Sequence, residues 1–145
     1  MNARLAKTAL ALLLTLGLAP AAVPAHAVTA TRAPAALLQP PLPLDAFPPQ
    51  VAQSCETWRQ LEWPATPEPI TYRLPDGEFI RGGNPYGNRS GDLPHSTTYH
   101  EYDVNPRPTA NTHRDAERIV RDTVSKRVYY SDDHYADFRE ISYGC

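Results

Sequence analysis

The sequence predicts an α+β domain in which one N-terminal helix packs on a twisted antiparallel β-sheet of about five strands. Two observations support this fold class. Apolar residues repeat at helical spacing between residues 51 and 61. From Ile70 onward, short runs rich in Tyr, Val, Ile and Thr alternate with Gly-, Pro- and Asp-containing turn signals, which is typical of an antiparallel sheet. A helix followed by several strands favours a helix packed on one sheet face.

The chain of 145 residues begins with the features of a secretory signal peptide. Arg4 and Lys7 precede an apolar run of about 11 residues, and Ala25 and Ala27 are small residues at the two positions that a signal peptidase reads. We expect cleavage after Ala27. The run is shorter than the roughly 20 residues that span a bilayer. The sequence therefore predicts a secreted protein, extracellular or periplasmic, with no membrane contact once processed.

The charge balance limits the classes of function. The chain has 14 Lys and Arg against 16 Asp and Glu, a formal net charge of −2. Removal of residues 1–27 would take away two basic side chains and leave 12 against 16, or −4. This sign argues against a protein that holds polyanions by bulk charge. A nucleic-acid function would need a local cationic site.

The mature chain divides into a leader and one domain. Residues 28–46 are rich in Pro and Ala, carry little charge and show no period, so they are predicted to be a disordered leader. Residues 47–145 are predicted to fold. Pro48 and Pro49 suit the first turn of a helix, where a missing N–H loses no hydrogen bond.

One helix and five strands are expected within this domain. Behind the two prolines, apolar residues at spacings of 4, 3 and 3 predict an amphipathic helix of about 13 residues with Val51, Cys55, Trp58 and Leu61 on one face. The candidate strands are 78–81, 97–104, 117–121, 127–131 and 136–142. The third of these is ambiguous, because residues 114–121 could equally form a charge-paired helical turn.

Cys55 and Cys145 are the two cysteines of the chain. An exported protein meets an oxidising compartment, so one disulfide is expected, and two buried free thiols are the alternative. Closing a loop of about 90 residues would stabilise the fold by roughly 4 kcal/mol in the chain-entropy model.

Four side chains within 34 residues form a set that suits phosphoryl chemistry: Glu101, Arg114, Arg118 and His134. Taken singly, each is typical of a solvated surface. Together they supply a proton acceptor, a proton donor and two guanidinium groups for an anionic phosphoryl group. The sequence shows no metal-ligand spacing and no nucleophile elbow, which favours a metal-independent reaction without a cofactor.

Four ordered blocks resemble the bacterial extracellular guanyl-preferring ribonucleases of the barnase type. The resemblance covers about 60 residues, from Tyr86 to Cys145. The blocks are Asn88–Pro94, Tyr99–Tyr102, Arg114–Val120 and Tyr129–Phe138. The resemblance also places Arg118 on a strand and Arg114 in the loop before it.

The resemblance implies a role for each residue of the set. Glu101 would be the general base that takes the proton of the ribose 2′-OH, and His134 the general acid that protonates the departing 5′-oxygen. Arg114 and Arg118 would bind the phosphoryl oxygens, and Tyr135 would contact the phosphate or the base. The expected product is a 2′,3′-cyclic phosphate from single-stranded RNA.

The base-binding loop departs from the family pattern. The family has a Glu after the Asn-Arg pair, and this chain has Ser90. A hydroxyl cannot replace a bidentate carboxylate contact to guanine. The backbone N–H groups of Asn88 and Arg89 and a stacked Tyr86 ring remain as base contacts. Weakened guanine preference is therefore expected.

Two other readings differ in what they predict. A catalytically degenerate module of the same fold would bind RNA, a nucleotide or an inhibitor without cleavage. A small disulfide-bonded envelope protein would carry the four charged residues on different sides of its fold. For the ribonuclease reading, the expected partners of this monomer are the RNA substrate and a proteinaceous inhibitor.

Overall fold

A computed structural model describes residues 39–95 and 97–145. The predicted signal peptide and its cleavage site at Ala27 lie outside the described residues, as do residues 28–38 of the predicted leader. The described part contains one α-helix, one short 3-10 helix (Leu44–Ala46) and seven strands: β1 (Gln39–Leu42), α1 (Pro49–Gln60), β2 (Ile70–Arg73), β3 (Phe79–Tyr86), β4 (Tyr99–Asp103), β5 (Arg118–Asp122), β6 (Val128–Ser131) and β7 (Arg139–Ile141). The strands form one sheet in the order β1-β7-β6-β5-β4-β3-β2.

The predicted five-stranded antiparallel sheet is wrong. The sheet has seven strands in the described residues and is mixed, because β1 pairs in parallel with β7. β1 lies at the sheet edge, where Pro40 and Pro41 interrupt no central ladder, so a segment with a leader-like composition can still join the sheet. β2, at the other edge, lies next to the proline-rich stretch after α1 and pairs with β3.

β3 is longer than expected because a turn-like sequence lies inside it. The sequence Gly82-Gly83-Asn84-Pro85 suggests a turn, yet the strand continues to Tyr86. Its register against β4 shifts between Gly82 and Asn84, and Gly83 has φ of 95°. A β-bulge with a left-handed glycine therefore replaces the expected turn.

The helix packs on one face of the sheet, as expected. Val51, Cys55 and Trp58 of α1 are fully buried in the main core cluster. The Trp58 indole N–H donates to the carbonyl oxygen of Asp103 at 2.8 Å, which fixes α1 against β4. Cys55 and Cys145 form a disulfide with their Cα atoms 5.1 Å apart, so the predicted bridge is confirmed.

A second apolar cluster lies apart from the helix cluster. It consists of Leu93, Tyr99, Val120, Tyr129 and Phe138, with Tyr86 and Tyr135 packed against it. Leu93 belongs to the loop between β3 and β4, and Tyr135 and Phe138 belong to the loop between β6 and β7, so the cluster fixes these two loops to the sheet. No helix among the described residues is long and apolar enough to cross a membrane.

Candidate active site

Glu101 occupies the middle of β4, between β3 and β5. Its side chain is 13% exposed. The Tyr135 hydroxyl donates to Glu101 Oε2 at 2.5 Å, and Arg114 Nη1 lies 3.6 Å from Glu101 Oε1. The carboxylate is thus held on one side by a hydroxyl and on the other by a cation. Burial, with the bond to Glu101, raises the pKa of Tyr135, so its phenol stays a proton donor.

Asp103, two residues further along β4, is a buried carboxylate that anchors the arginines. Arg114 Nε and Nη2 both lie 2.6 Å from Asp103 Oδ1, and Arg118 Nη1 lies 3.7 Å from it. The backbone N–H of Arg81 donates to Oδ2 at 3.1 Å. Burial raises the pKa of Asp103, whereas the charges of Arg114 and Arg118 oppose that rise. Residues two apart on a strand share one face, so Asp103 lies on the same face as Glu101, but no motif in the sequence indicated a function for it.

The loop before β5 brings Arg114 to Glu101. Arg107 is buried, and its Nη1 donates to the carbonyl oxygens of Ala110 and Thr112 at 3.3 and 2.9 Å. The backbones of Arg107 and Phe79 exchange two hydrogen bonds of 2.8 Å. The loop is therefore anchored to β3, and Arg114 approaches from a fixed base. Arg118 lies on β5, as the family resemblance implied.

His134 projects from the loop between β6 and β7. His134 and Tyr135 have positive φ angles of 62° and 75°, a conformation that costs about 1–3 kcal/mol per residue outside glycine. Local hydrogen bonds hold it: the His134 N–H donates to the Ala116 carbonyl at 3.1 Å, and the Tyr135 N–H donates to Ser131 Oγ at 2.8 Å. The exposed His134 ring lies 4.8 Å from that of Tyr135 between centroids.

These elements surround a cleft of about 820 Å³. Its lining side chains include four arginines and two histidines: Arg81, Arg107, His113, Arg114, Arg118 and His134. Sequence reasoning named three of the six. Arg81 and Arg107 carry no local signal that could have revealed them, because their approach depends on the bulge in β3 and on the loop after β4.

A second cavity of about 490 Å³ adjoins Glu101. All five predicted substrate-binding residues line it: Tyr86, Asn88, Arg89, Ser90 and Tyr135. The Tyr86 and Tyr135 rings lie 4.9 Å apart between centroids, at an angle of 34°. Two tyrosine rings therefore line the cavity that contains the carboxylate, and an aromatic ring face is a surface on which a planar base can stack.

The Asn88 side chain stabilises the loop itself. Its Nδ2 donates to the Leu93 carbonyl at 2.7 Å, and its Oδ1 accepts from the Leu93 N–H at 3.1 Å. Asn88 also has φ of 42°. A contact between Asn88 and a ligand would therefore come from its backbone, while Arg89 and Ser90 are exposed at the cavity.

The site combines the Glu101 carboxylate with a cleft lined by His134 and four arginines. Arg114 contacts Glu101, and it lines the same cleft as Arg118 and His134. This proximity contradicts the envelope-protein reading, which required the charged residues to lie on different sides. Among the described residues, no cluster of three or more His, Cys, Asp or Glu side chains has a metal-binding arrangement.

Comparison with known proteins identifies the family of this chain. The family model described as ribonuclease matches residues 30–142, so the chain belongs to the ribonuclease family and the resemblance drawn from the sequence is confirmed. Guanyl-specific ribonuclease Sa3 of Kitasatospora aureofaciens is 42% identical over 69 residues, which are 46% of this chain and 48% of that protein. The chain thus matches about half the length of this curated relative.

Proposed function

We propose that the protein is a secreted, metal-independent endoribonuclease that cleaves single-stranded RNA by transesterification. The observation that carries this proposal is the position of Glu101. Its carboxylate lines the cavity that also contains Tyr86 and Ser90, and it lies 3.6 Å from Arg114, which lines the cleft together with Arg118 and His134. A ribose bound there would present its 2′-OH to the carboxylate and its 3′-phosphate to the cations.

In this mechanism the 2′-OH of the substrate is the nucleophile. Glu101 takes the proton of this hydroxyl as the oxygen attacks phosphorus, and the bond from phosphorus to the 5′-oxygen breaks. His134 gives a proton to that departing oxygen, which leaves a 2′,3′-cyclic phosphate. Arg114 and Arg118 hold the non-bridging oxygens.

Asp103 acts as a positioning residue in this mechanism. Its buried oxygens take hydrogen bonds from Arg114 and lie close to Arg118, so both guanidinium groups are oriented before substrate arrives. Such preorganisation removes a reorganisation cost from the transition state.

We further propose that guanine preference is weak in this enzyme. Ser90 lines the base cavity at the position where the family carboxylate is expected. A serine hydroxyl offers one acceptor in place of a bidentate pair, a loss of about 1–3 kcal/mol in base discrimination by analogy with groove readout. Cleavage of ApC, CpC, GpC and UpC tests this point, and a guanine preference of several thousandfold would contradict it.

Two features support secretion, a disulfide and the composition of the N-terminal residues. A disulfide joins Cys55 to Cys145, and disulfides persist in oxidising compartments. Residues 1–27 have the composition of a signal peptide. N-terminal sequencing of the protein from the medium or periplasm should find a start at Val28.

RNA cleavage in EDTA tests the catalytic proposal. The wild-type chain should cleave, and Glu101→Gln and His134→Gln should each lower kcat/KM by about 100-fold to 10,000-fold, the range for one acid–base group. Glu68→Gln, on an exposed connecting segment, is the matched control and should cleave normally.

The wild-type kcat/KM should also rise and then fall with pH, and a flat profile from pH 4 to 9 would contradict the acid–base assignment.

The second candidate is a binding module of the same fold, which Ser90 favours because it weakens base recognition. This module would bind RNA, a nucleotide or a proteinaceous inhibitor. An inert, folded wild-type protein that still binds a dinucleotide would support it.

A further inference from the structure

The β-bulge in β3 decides which face of the sheet carries the Tyr86 ring. Side chains alternate along a strand, and Gly82 pairs with Tyr102, whose ring lies in the main core cluster with α1. In an unbroken strand Tyr86 would face that same cluster, because an even number of steps separates it from Gly82. The register shifts just after Gly82, however, so Tyr86 pairs with Tyr99 and packs against the second apolar cluster. The bulge thus turns Tyr86 toward the cavity that contains Glu101.

The carbonyl oxygen of Gly83, in this bulge, accepts two hydrogen bonds from outside β3. The N–H of Thr66 donates to it at 2.8 Å, and His100 Nδ1 forms the second bond. Because a carbonyl oxygen only accepts, that ring nitrogen carries the proton. Gly83 has φ of 95°, and a Cβ there would lie 3.0 Å from Thr66 Oγ1. The backbone of the bulge is therefore closely enclosed and held from two sides.

His100 reaches the bulge from the face opposite Glu101. The two residues are neighbours on β4, so their side chains point to opposite faces. His100 is half-buried and pairs with Pro85, the residue before Tyr86. It also lines a cavity of about 480 Å³ whose wall includes Pro85, Tyr86 and Asn88. One imidazole therefore holds the bulge and lies beside the first residues of the base-binding loop.

The bulge has little conformational preference of its own. Its two glycines have no side chains that pack, and glycine has the widest backbone freedom of any residue. The hydrogen-bond ladder of a sheet is also disrupted at a bulge. Thr66 is a fixed point, since the Tyr102 hydroxyl donates to the carbonyl of nearby Pro64 at 2.9 Å. The bonds from Thr66 and His100 therefore supply the constraint that the glycine pair lacks.

We infer that His100 is a positioning residue for base recognition, although it lines neither the cleft nor the cavity beside Glu101. Its bond to the Gly83 carbonyl keeps the bulge in register, and the bulge keeps the Tyr86 ring where a base can stack. This inference rests on the proposed function for the identity of the ligand, a nucleotide base. Because the imidazole acts through Tyr86, its loss should weaken base binding and leave the proton transfers unchanged.

Isothermal titration calorimetry with guanosine 3′-monophosphate and with inorganic phosphate separates base binding from phosphate binding. The wild-type protein should bind the nucleotide at least about tenfold more tightly than phosphate, because base stacking adds to the phosphate contacts. His100→Leu should reduce this ratio by at least about fivefold, while its affinity for inorganic phosphate stays within about twofold of wild type. Should His100→Leu fail to fold, His100→Gln takes its place with the same expectation, because its donor lies one bond farther from the backbone.

Two further variants separate the hydrogen bond from general effects. His100→Asn places an amide N–H where Nδ1 lies, so it should keep the wild-type ratio to within about twofold. Arg121→Leu is the matched control. Arg121 pairs with His100 on the same sheet face but lies on β5, on the far side of β4 from Gly83, and its loss should keep the wild-type ratio.

Steady-state cleavage of GpC gives an independent measurement. His100→Leu should raise KM by at least about fivefold and leave kcat within about twofold, the pattern of lost substrate binding. A fall in kcat at unchanged KM would contradict a positioning role in base recognition.

The inference is overturned if the wild-type protein binds both ligands alike, if His100→Leu keeps the full ratio, or if His100→Asn or Arg121→Leu loses it equally. Absence of RNA cleavage by the wild-type protein in EDTA would instead refute the proposed function. The two failures are distinguishable, because the calorimetric ratio does not depend on catalysis.

Discussion

Asp122, at the end of β5, is the acidic residue whose ionisation should contribute most clearly to stability. Its carboxylate accepts hydrogen bonds from the hydroxyls of Thr97 and Ser125 at 2.6 Å each, and from the N–H groups of Val124 and Ser125 at 2.7 and 3.0 Å. Burial alone would raise the pKa of Asp122, but these four donors outweigh it and lower the pKa to about 2.

The size and the pH window of this contribution follow from the shift. An unfolded aspartate titrates near 3.8, so the folded state favours the carboxylate by nearly two pKa units, or about 2 kcal/mol. The stabilisation is fully present above about pH 5. It decreases as the pH falls from the unfolded pKa toward 2, because the unfolded state then binds a proton at Asp122 and the folded state does not.

Urea unfolding of wild type and Asp122→Asn at pH 7 and pH 3 measures this effect. We expect the variant to lose about 2 kcal/mol at pH 7 and about 1 kcal/mol less than that at pH 3. Glu68→Gln is the charge-matched control and should change stability by under about 0.5 kcal/mol at either pH. An Asp122→Asn cost that is the same at both pH values would refute the linkage argument.

Three other variants have effects on stability or base preference that follow from the structure. Gly82→Ala should destabilise by about 1–3 kcal/mol in urea unfolding, because a Cβ there would lie 2.9 Å from the backbone of Tyr102; an unchanged midpoint would show that the strand can shift. Replacing Cys55 and Cys145 with Ala opens a bridge across a sequence separation of 90 and should cost about 4–5 kcal/mol, and a loss under 1 kcal/mol would contradict the chain-entropy account. Ser90→Glu should raise the GpC-to-ApC cleavage ratio by at least about tenfold, whereas an unchanged ratio would mean that this side chain does not face the base.

The parts of the fold that could be predicted are those with local signals. The two prolines and the 4, 3, 3 spacing predict α1, and β-rich runs between turn residues predict β4 to β7. β1 has no such signal, since its backbone becomes a strand only by pairing with β7. β2 does carry a β-rich run, Ile70-Thr71-Tyr72 before turn residues, although it was not among the candidate strands. The full length of β3 was not predicted for a different reason. The pair Gly82-Gly83 suits either a turn or a bulge, and only the pairing with β4 decides between them.

The candidate site shows the same division. Glu101, Arg114 and His134 are found from the sequence because they belong to ordered blocks that resemble a family. Asp103 and Arg107 are found only in the structure, since a mid-strand carboxylate and a loop arginine are usually solvated. Both side chains are buried in the structure, and burial is a property of the packed fold.

Asp103 also explains how four arginines can lie around one cleft in a chain with a net charge of −2. Guanidinium groups at such short range repel one another, and one buried carboxylate within 4 Å of Arg107, Arg114 and Arg118 relieves that repulsion. Glu101 lies 3.6 Å from Arg114 and Asp115 lies 3.3 Å from Arg118, so three carboxylates together offset most of the positive charge of the cleft. The rest of the chain is acidic, so a polyanion gains no affinity from the bulk surface. In the proposed mechanism, affinity for RNA would therefore come from the arginines beside the reacting phosphate.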